Sequence, residues 1–209
     1  MIDLSASALE VAPALLGAVL TRDSAEGPVS VRLTEVEAYL GEGLDPGSHA
    51  FRGRTPRVAS MYGEPGHLYT YFTYGMHVCA NVVCSPEGEA SAVLLRAGEI
   101  VEGVALARSR RPTAKRTTDI ARGPANLVRA LGIALSDDGA SLFVPPFAFE
   151  LPSVRASGVA TSLRTGVSGD GGLPPFEWRF SLAGDPTVSP YKARHARAAR
   201  SFAGPSGPA

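Results

Sequence analysis

Two cysteines and two lysines in 209 residues set the first limits on this chain. Cys79 and Cys84 stand five apart on what reads as a single strand. They make no disulfide framework, and a reducing, cytoplasmic setting is expected. His49, His67, His77 and His195, with those cysteines, lack the paired C-x2-C or H-x3-H spacing of a zinc site, so neither a metal nor another cofactor is expected. No stretch approaches the roughly 18 apolar residues of a membrane span, and no membrane partner is expected. The opening segment, MIDLSASALEVAPALLG, has no basic n-region and carries Asp3 and Glu10, so it reads as the start of the fold. With 44% hydrophobic residues the chain can bury one substantial core, and a single domain over residues 1–200 is expected, with a disordered tail at 201–209.

Net charge is also lacking: twenty bases balance twenty acids. Their distribution is uneven. Residues 1–47 hold eight acids against Arg22 and Arg32, whereas residues 96–129 hold eight bases against Glu99, Glu102 and Asp119. Lys192, Arg194, Arg197 and Arg200 form a further basic cluster. This asymmetry permits a basic face that tracks phosphates. Eighteen of the twenty bases are Arg, which suits bidentate phosphate contacts but is equally the mark of a GC-rich genome.

Apolar spacing predicts a helix over Ala8–Leu20 running toward a strand. Val29–Tyr39 alternates and is β-branched, so it reads as a strand. Gly41–Gly66 is rich in Gly, Pro and Arg and reads as a long functional loop with a short helix. Leu68–Thr73 and Val78–Val83 read as a hairpin turning at Tyr74, Gly75, Met76 and His77. Ala92–Ala97 is a further strand, Ile100–Arg111 and Pro124–Leu131 read as helices, and residues 150–185 alternate short strands with Gly/Pro turns. The sum is a mixed α+β domain on an antiparallel sheet.

Three segments carry residue types that packing alone explains poorly. Along a strand, Glu35, Glu37 and Tyr39 share one face. Such a face is either a solvated edge or the wall of a polar pocket. The loop holds Ser48 and His49 followed by Arg52, Arg54, Thr55 and Arg57, which read as a surface loop or as ligand contacts. The hairpin holds three of the six tyrosines: Tyr69 and Tyr71 on one strand face, and Tyr74 at the turn. Aromatics on a strand are usually core, but exposed tips serve as wedges between bases. Together these pieces suit an aromatic slot for a flat heterocycle, with a carboxylate beside it to activate water.

The run EVEAYLG, SHAFRGRTPR, PGHLYTYFTYGMHVCANVV, AVLLRAGE and RGPANLVRALGI resembles the alkyladenine (3-methyladenine) DNA glycosylase family, with weaker echoes in RTGV at 164–167 and GDPTVS at 184–189. The resemblance implies a single α+β domain with a curved antiparallel sheet, flanking helices and a hairpin that projects into the DNA minor groove. It also implies roles for individual residues. Glu37 matches the residue that deprotonates the attacking water, and Arg96 the basic residue beside that water. Tyr39 and His49 match the two faces of the base slot, Tyr71 its edge-on wall, and Asn81 the gate against the 2-amino group of guanine. Tyr74 matches the intercalating wedge, with Met76 and His77 beside it. Arg54, Thr55 and Arg111 match DNA contacts. Where the family often has a basic residue this chain has Asn126, with Arg129 one helical turn on as a possible replacement. His77 stands where an aromatic is common.

The same resemblance implies an activity. A monomeric, monofunctional glycosylase would flip alkylated or deaminated purines (3-methyladenine, 7-methylguanine, hypoxanthine or ethenoadenine) out of duplex DNA and hydrolyse the N-glycosidic bond. With lysine only at positions 115 and 192, a Schiff-base lyase step is not expected. Two rival readings remain. A module that merely stacks bases has no use for Glu37 in a phosphate-attracting groove, and an enzyme of free nucleosides leaves Tyr74 and the arginines of 96–129 without a purpose.

Overall fold

The computed structural model describes residues 2–73 and 75–192. Tyr74, the expected wedge, and the tail at 201–209 lie outside the described residues, as does most of the basic cluster that follows Lys192. The architecture is α+β: one curled antiparallel sheet with short helices against it. The strands are β1 (Val19–Arg22), β2 (Val29–Leu40), β3 (Leu68–Thr73), β4 (His77–Val83), β5 (Ser91–Glu102), β6 (Phe147–Glu150), β7 (Val159–Ser162) and β8 (Arg179–Leu182). The sheet path runs β3-β4-β5-β2-β1-β6, and the β7–β8 pair joins it through β2.

The central strand β2 changes partner along its length. Its first half pairs with β1 (Val19↔Arg32), and its second half with β8 (Glu35↔Ser181, Glu37↔Arg179). The exchange occurs where the register with β5 shifts around Leu33, Glu35 and Val36. Such irregularities bend a strand and re-aim its side chains. Here they turn Glu35 and Glu37 into the bowl of the sheet.

Alternation sorts the two faces of the β3–β4–β5 layer. Leu68, Ala80, Val82, Val93 and Leu95 enter the main core, which helices α1 (Ala8–Ala14) and α3 (Pro124–Leu131) cover. Tyr69, Val83 and Ala92 point the other way, into a smaller cluster closed by Ala50, Val58, Met61 and Tyr62 of the long loop. That loop contains a 3-10 turn at Pro56–Tyr62, the short helix expected there.

Two expected helices are shorter than the spacing predicts. The first ends at Ala14, and Val19 and Leu20 belong to β1, where they pair with β2 on one side and β6 on the other. Sheet pairing on both edges outweighs a few more helical residues. The second expected helix, Ile100–Arg111, begins only at Val104 as α2 (Val104–Arg110), because β5 runs on to Glu102 against Val31 and Ser30. Gly103 separates them at φ +69°, with its α-carbon facing the Pro28 carbonyl so closely that an added Cβ would sit 2.2 Å from that oxygen. A side chain there is both strained and obstructed. Gly103→Ala should therefore lower stability by roughly 2–4 kcal/mol in urea unfolding. A loss below about 0.5 kcal/mol, the scatter of ordinary surface changes, would show that β5 does not need this glycine to turn into α2.

Candidate active site

A cavity of about 860 Å³ opens on the bowl side, between the long loop, the β3–β4 hairpin, the start of α3 and the 165–168 segment. Volumes of this size hold a drug-sized ligand, and aromatic side chains form part of the wall. Tyr39, His49, Tyr69 and Tyr71 all reach it. The His49 and Tyr71 rings meet edge to face, with centroids 4.5 Å apart, and Tyr69 lies 5.5 Å from Tyr71. The Tyr69 hydroxyl and His49 Nδ1 are 3.2 Å apart and share a hydrogen bond. Asn81 is buried, and its amide donates to the Tyr69 carbonyl at 2.9 Å, which fixes its orientation in the wall.

Behind this wall lie the two acids of β2, and both are completely buried. The solvated-edge alternative is thereby excluded. Glu37 accepts from the Tyr39 hydroxyl (2.8 Å) and Arg96 Nη1 (3.1 Å) on Oε2, and from the Thr165 backbone N–H (2.7 Å) on Oε1. Glu35 accepts from Arg96 Nε (2.9 Å), Arg179 Nε (2.7 Å) and both the backbone N–H and hydroxyl of Ser189. Burial opposes the charge on Glu35, but Arg96, Arg179 and the Ser189 N–H hold its carboxyl below the usual range. Burial likewise opposes the charge on Arg96, and the two carboxylates more than offset it. Tyr39 is pushed far above the ordinary phenol range, first by burial and then by Glu37, so it stays a neutral donor.

Another arginine braces the aromatic wall. Arg164 is fully buried and grips Asp45 through two bonds of 2.6 Å, while donating to the carbonyls of Ala38 and Gly171. Its guanidinium lies 4.5 Å from the centre of the Tyr39 ring and 5.1 Å from that of Trp178. Asp45 in turn accepts from the backbone N–H groups of Leu40 and Gly47. One guanidinium thus holds the end of β2, the beginning of the loop and the 164–171 segment together.

The expected site residues divide accordingly. Glu37, Arg96, Tyr39, His49, Tyr71 and Asn81 converge on one place. His77 lies in the cavity wall, and Met76 stands beside it, 69% exposed at the hairpin tip. Arg54 and Thr55 are exposed on the loop outside the cavity wall, Arg54 lying 5.5 Å above the Tyr62 ring. Arg111 is farther off, and its Nε donates to the Ile120 carbonyl. Much of the basic stretch 96–129 is similarly occupied. Arg108 binds the Ala114 carbonyl and Thr117, Arg110 binds Ala130, Leu131 and Glu26, and Arg122 binds the Val188 carbonyl. The segment is less a free phosphate-tracking face than its composition suggests.

Asp45, Arg164, Thr165, Arg179 and Ser189 carry no assignment from the sequence, although RTGV and GDPTVS mark where three of them sit. Arg57 is also in the cavity wall, with Nη2 donating to the Phe72 carbonyl. Removing one member of a buried pair is far more damaging than removing both. Arg164→Met should destabilise the protein by about 3–5 kcal/mol. Adding Asp45→Asn to Arg164→Met should recover part of that loss. Chemical denaturation of the single and double variants checks this, and strict additivity would argue against the pairing.

Residues 3–186 match the family model described as methylpurine-DNA glycosylase. A protein of Leifsonia xyli subsp. xyli, provisionally named a 3-methyladenine DNA glycosylase, is 69% identical over 194 residues, which cover 91% of this chain and 90% of that one. Relatives with the same provisional name occur in Streptomyces avermitilis (53% over 199 residues, 92% and 91% covered) and Nocardia farcinica (50% over 185 residues, 85% and 84% covered). The aromatic cavity, the paired acids behind it and the match over most of the chain agree, and the protein belongs to the methylpurine-DNA glycosylase family of N-glycosyl hydrolases.

Proposed function

We propose that this protein is a monofunctional, monomeric glycosylase that flips damaged purines out of duplex DNA and hydrolyses their N-glycosidic bonds with a water activated by Glu37. The observation that carries the reading is the Glu37 carboxylate, held by Tyr39, Arg96 and the Thr165 N–H behind an aromatic cavity beneath an exposed hairpin.

The target bond lies inside a stacked duplex, so the nucleotide must leave the helix at an unstacking cost of about a few kcal/mol. Phe72 and Met76, 48% and 69% exposed at the hairpin end, are the apolar contacts such a groove needs. Tyr74 between them is our candidate for the wedge that fills the vacated space, with Met76 and His77 along the groove. Arg54, Thr55 and Arg111 are candidate backbone contacts, Arg111 the weakest since its Nε is already engaged.

Once extruded, the purine enters between Tyr39 and His49, with Tyr71 edge-on and Asn81 excluding the 2-amino group of guanine. Cleavage passes through an oxocarbenium-like sugar, which the Glu37 anion stabilises. The water oxygen bonds to C1′ as the C1′–N bond breaks, its electron pair leaves with the base, and the water's proton passes to Glu37. N3- and N7-alkylated purines are already cationic and depart neutral. Tyrosine faces favour such cations by about 0.5–2 kcal/mol each.

Glu37→Gln keeps the shape and removes the base. Single-turnover excision of 7-methylguanine from an oligonucleotide duplex should fall by at least about a hundredfold, with lesion binding retained. Near-normal excision by that variant would remove Glu37 from the mechanism.

His49 gives a pH signature. Burial first, then the Arg57 charge, holds its imidazole below the ordinary value of about 6.5, so the neutral form persists to lower pH. A neutral ring accommodates a cationic purine, whereas an imidazolium repels it. The rate ratio of cationic 7-methylguanine to neutral hypoxanthine should stay level from about pH 8 down to about pH 6.5 and decline only below it. Taking the ratio cancels pH effects common to both substrates. A decline centred above about pH 6.5 would contradict a neutral His49 in the slot.

A further inference from the structure

Among the described residues, Thr165 Oγ1 is one of three buried side-chain polar atoms without a hydrogen-bond partner. The other two are guanidinium Nε atoms: that of Arg22, whose Nη2 pairs with Asp137, and that of Arg164, whose two Nη atoms both bond Asp45. A hydroxyl has no second group to compensate, and a buried unmade bond of this kind calls for an explanation. Thr165 is also in the cavity wall, and its own backbone N–H is the donor to Glu37 Oε1. The orphaned hydroxyl therefore lies three bonds from the atom that touches the proposed base.

Glu37 has a matching vacancy of acceptor capacity. An ionised carboxylate offers about four lone-pair sites. Oε2 is occupied by Tyr39 and Arg96, while Oε1 takes the Thr165 N–H alone among the described residues. The acceptor capacity and the hydroxyl are thus linked through one contact, the Thr165 N–H on Oε1.

We infer that the Thr165 hydroxyl is a catalytic group that, together with Glu37 Oε1, seats the attacking water. The inference rests on the reading of Glu37 as the general base. The water donates one hydrogen to Oε1 and the other to Thr165 Oγ1, which leaves its lone pairs directed at C1′. As the O–C1′ bond forms, the hydrogen on Oε1 passes to the carboxylate, the C1′–N bond breaks, and its electron pair departs with the base. Thr165 gains and loses no proton. It fixes which lone pair attacks, an orientation that one acceptor leaves free to rotate.

Both the Glu37 carboxylate and Thr165 Oγ1 are closed to solvent in the DNA-free state. Seating one water between them requires the 165–168 segment, which forms one wall of the cavity, to yield by about one water radius. The nucleophile's seat is then separate from the open cavity.

Thr165→Val is nearly isosteric, keeps the N–H to Glu37 and deletes only the hydroxyl. Wild type, Thr165→Val, Thr165→Ser and Glu37→Gln are compared by single-turnover excision of 7-methylguanine, by lesion-duplex affinity and by thermal melting. The valine variant should lose at least about tenfold in rate, the worth of one hydrogen bond made at the transition state. Its lesion affinity should be unchanged and its Tm equal or higher, since an unsatisfied buried group is removed. Serine should restore most of the rate. Wild-type rate in the valine variant, or a loss that follows Tm or affinity and is not restored by serine, overturns the inference. If wild type excises and Glu37→Gln does not, such a result removes Thr165 alone. If wild type releases no base, both the inference and the proposed function fall.

Discussion

Two carboxylates buried two residues apart on one strand repel each other and lose their hydration, and this arrangement is tenable only because two guanidiniums are buried with them. Glu35 and Glu37 on β2 are met by Arg96 from β5 and Arg179 from β8, which makes the cluster neutral. An unpaired buried charge costs several kcal/mol, so none of the four can be misplaced cheaply. The cluster therefore dictates geometry around it. β5 must lie in the register that brings Arg96 beneath both acids. β8 must pair with the second half of β2, and the chain after β8 must return so that Ser189 can close on Glu35. The two acids then serve different ends. Glu35 is saturated by fixed donors and acts as an anchor, whereas Glu37 keeps acceptor capacity on Oε1, where the Thr165 N–H is its one donor among the described residues.

Arg164 extends the same principle to the aromatic wall. A tyrosine ring lining an open cavity would be free to change rotamer when the cavity is empty. Tyr39 is pinned twice, by its hydroxyl on Glu37 and by a guanidinium packed on its ring. That guanidinium is itself fixed by Asp45, by two backbone carbonyls and by the ring of Trp178. The Tyr39 side of the cavity is thus fixed while the cavity is empty, which spares the ordering entropy that a looser pocket would lose on binding a ligand.

How much of this could be read from the chain depends on how local the cause is. The alternation of EVEAY placed Glu35, Glu37 and Tyr39 on one face, and the hairpin and α3 arise from short-range spacing and turn residues. The limits of α1 and α2 do not, because pairing partners distant in sequence claim Val19, Leu20 and Ile100–Glu102 for the sheet. Nor does the distinction between solvated edge and pocket wall. It is decided by Arg96, 61 and 59 positions from Glu35 and Glu37, and by Arg179, 144 positions from Glu35, whose arrival no periodicity announces. In the arginine-rich stretch composition permits a phosphate face, and the fold engages four of its eight bases, Arg108, Arg110, Arg111 and Arg122, on its own carbonyls.

That occupation bears on how the protein searches a genome. Hold on undamaged duplex comes chiefly from side chains that displace counterions, and its strength and salt dependence grow with their number. With balanced charge overall, and Arg96, Arg108, Arg110, Arg111 and Arg122 bonded within the fold, that stretch adds less to such a hold than its eight bases suggest. On the proposed function, visits to intact DNA would then be brief, and each molecule would inspect many positions in a given time. Under the same reading, lasting residence would require a base that enters the cavity, and discrimination would be exercised through dwell time as well as through the chemical step.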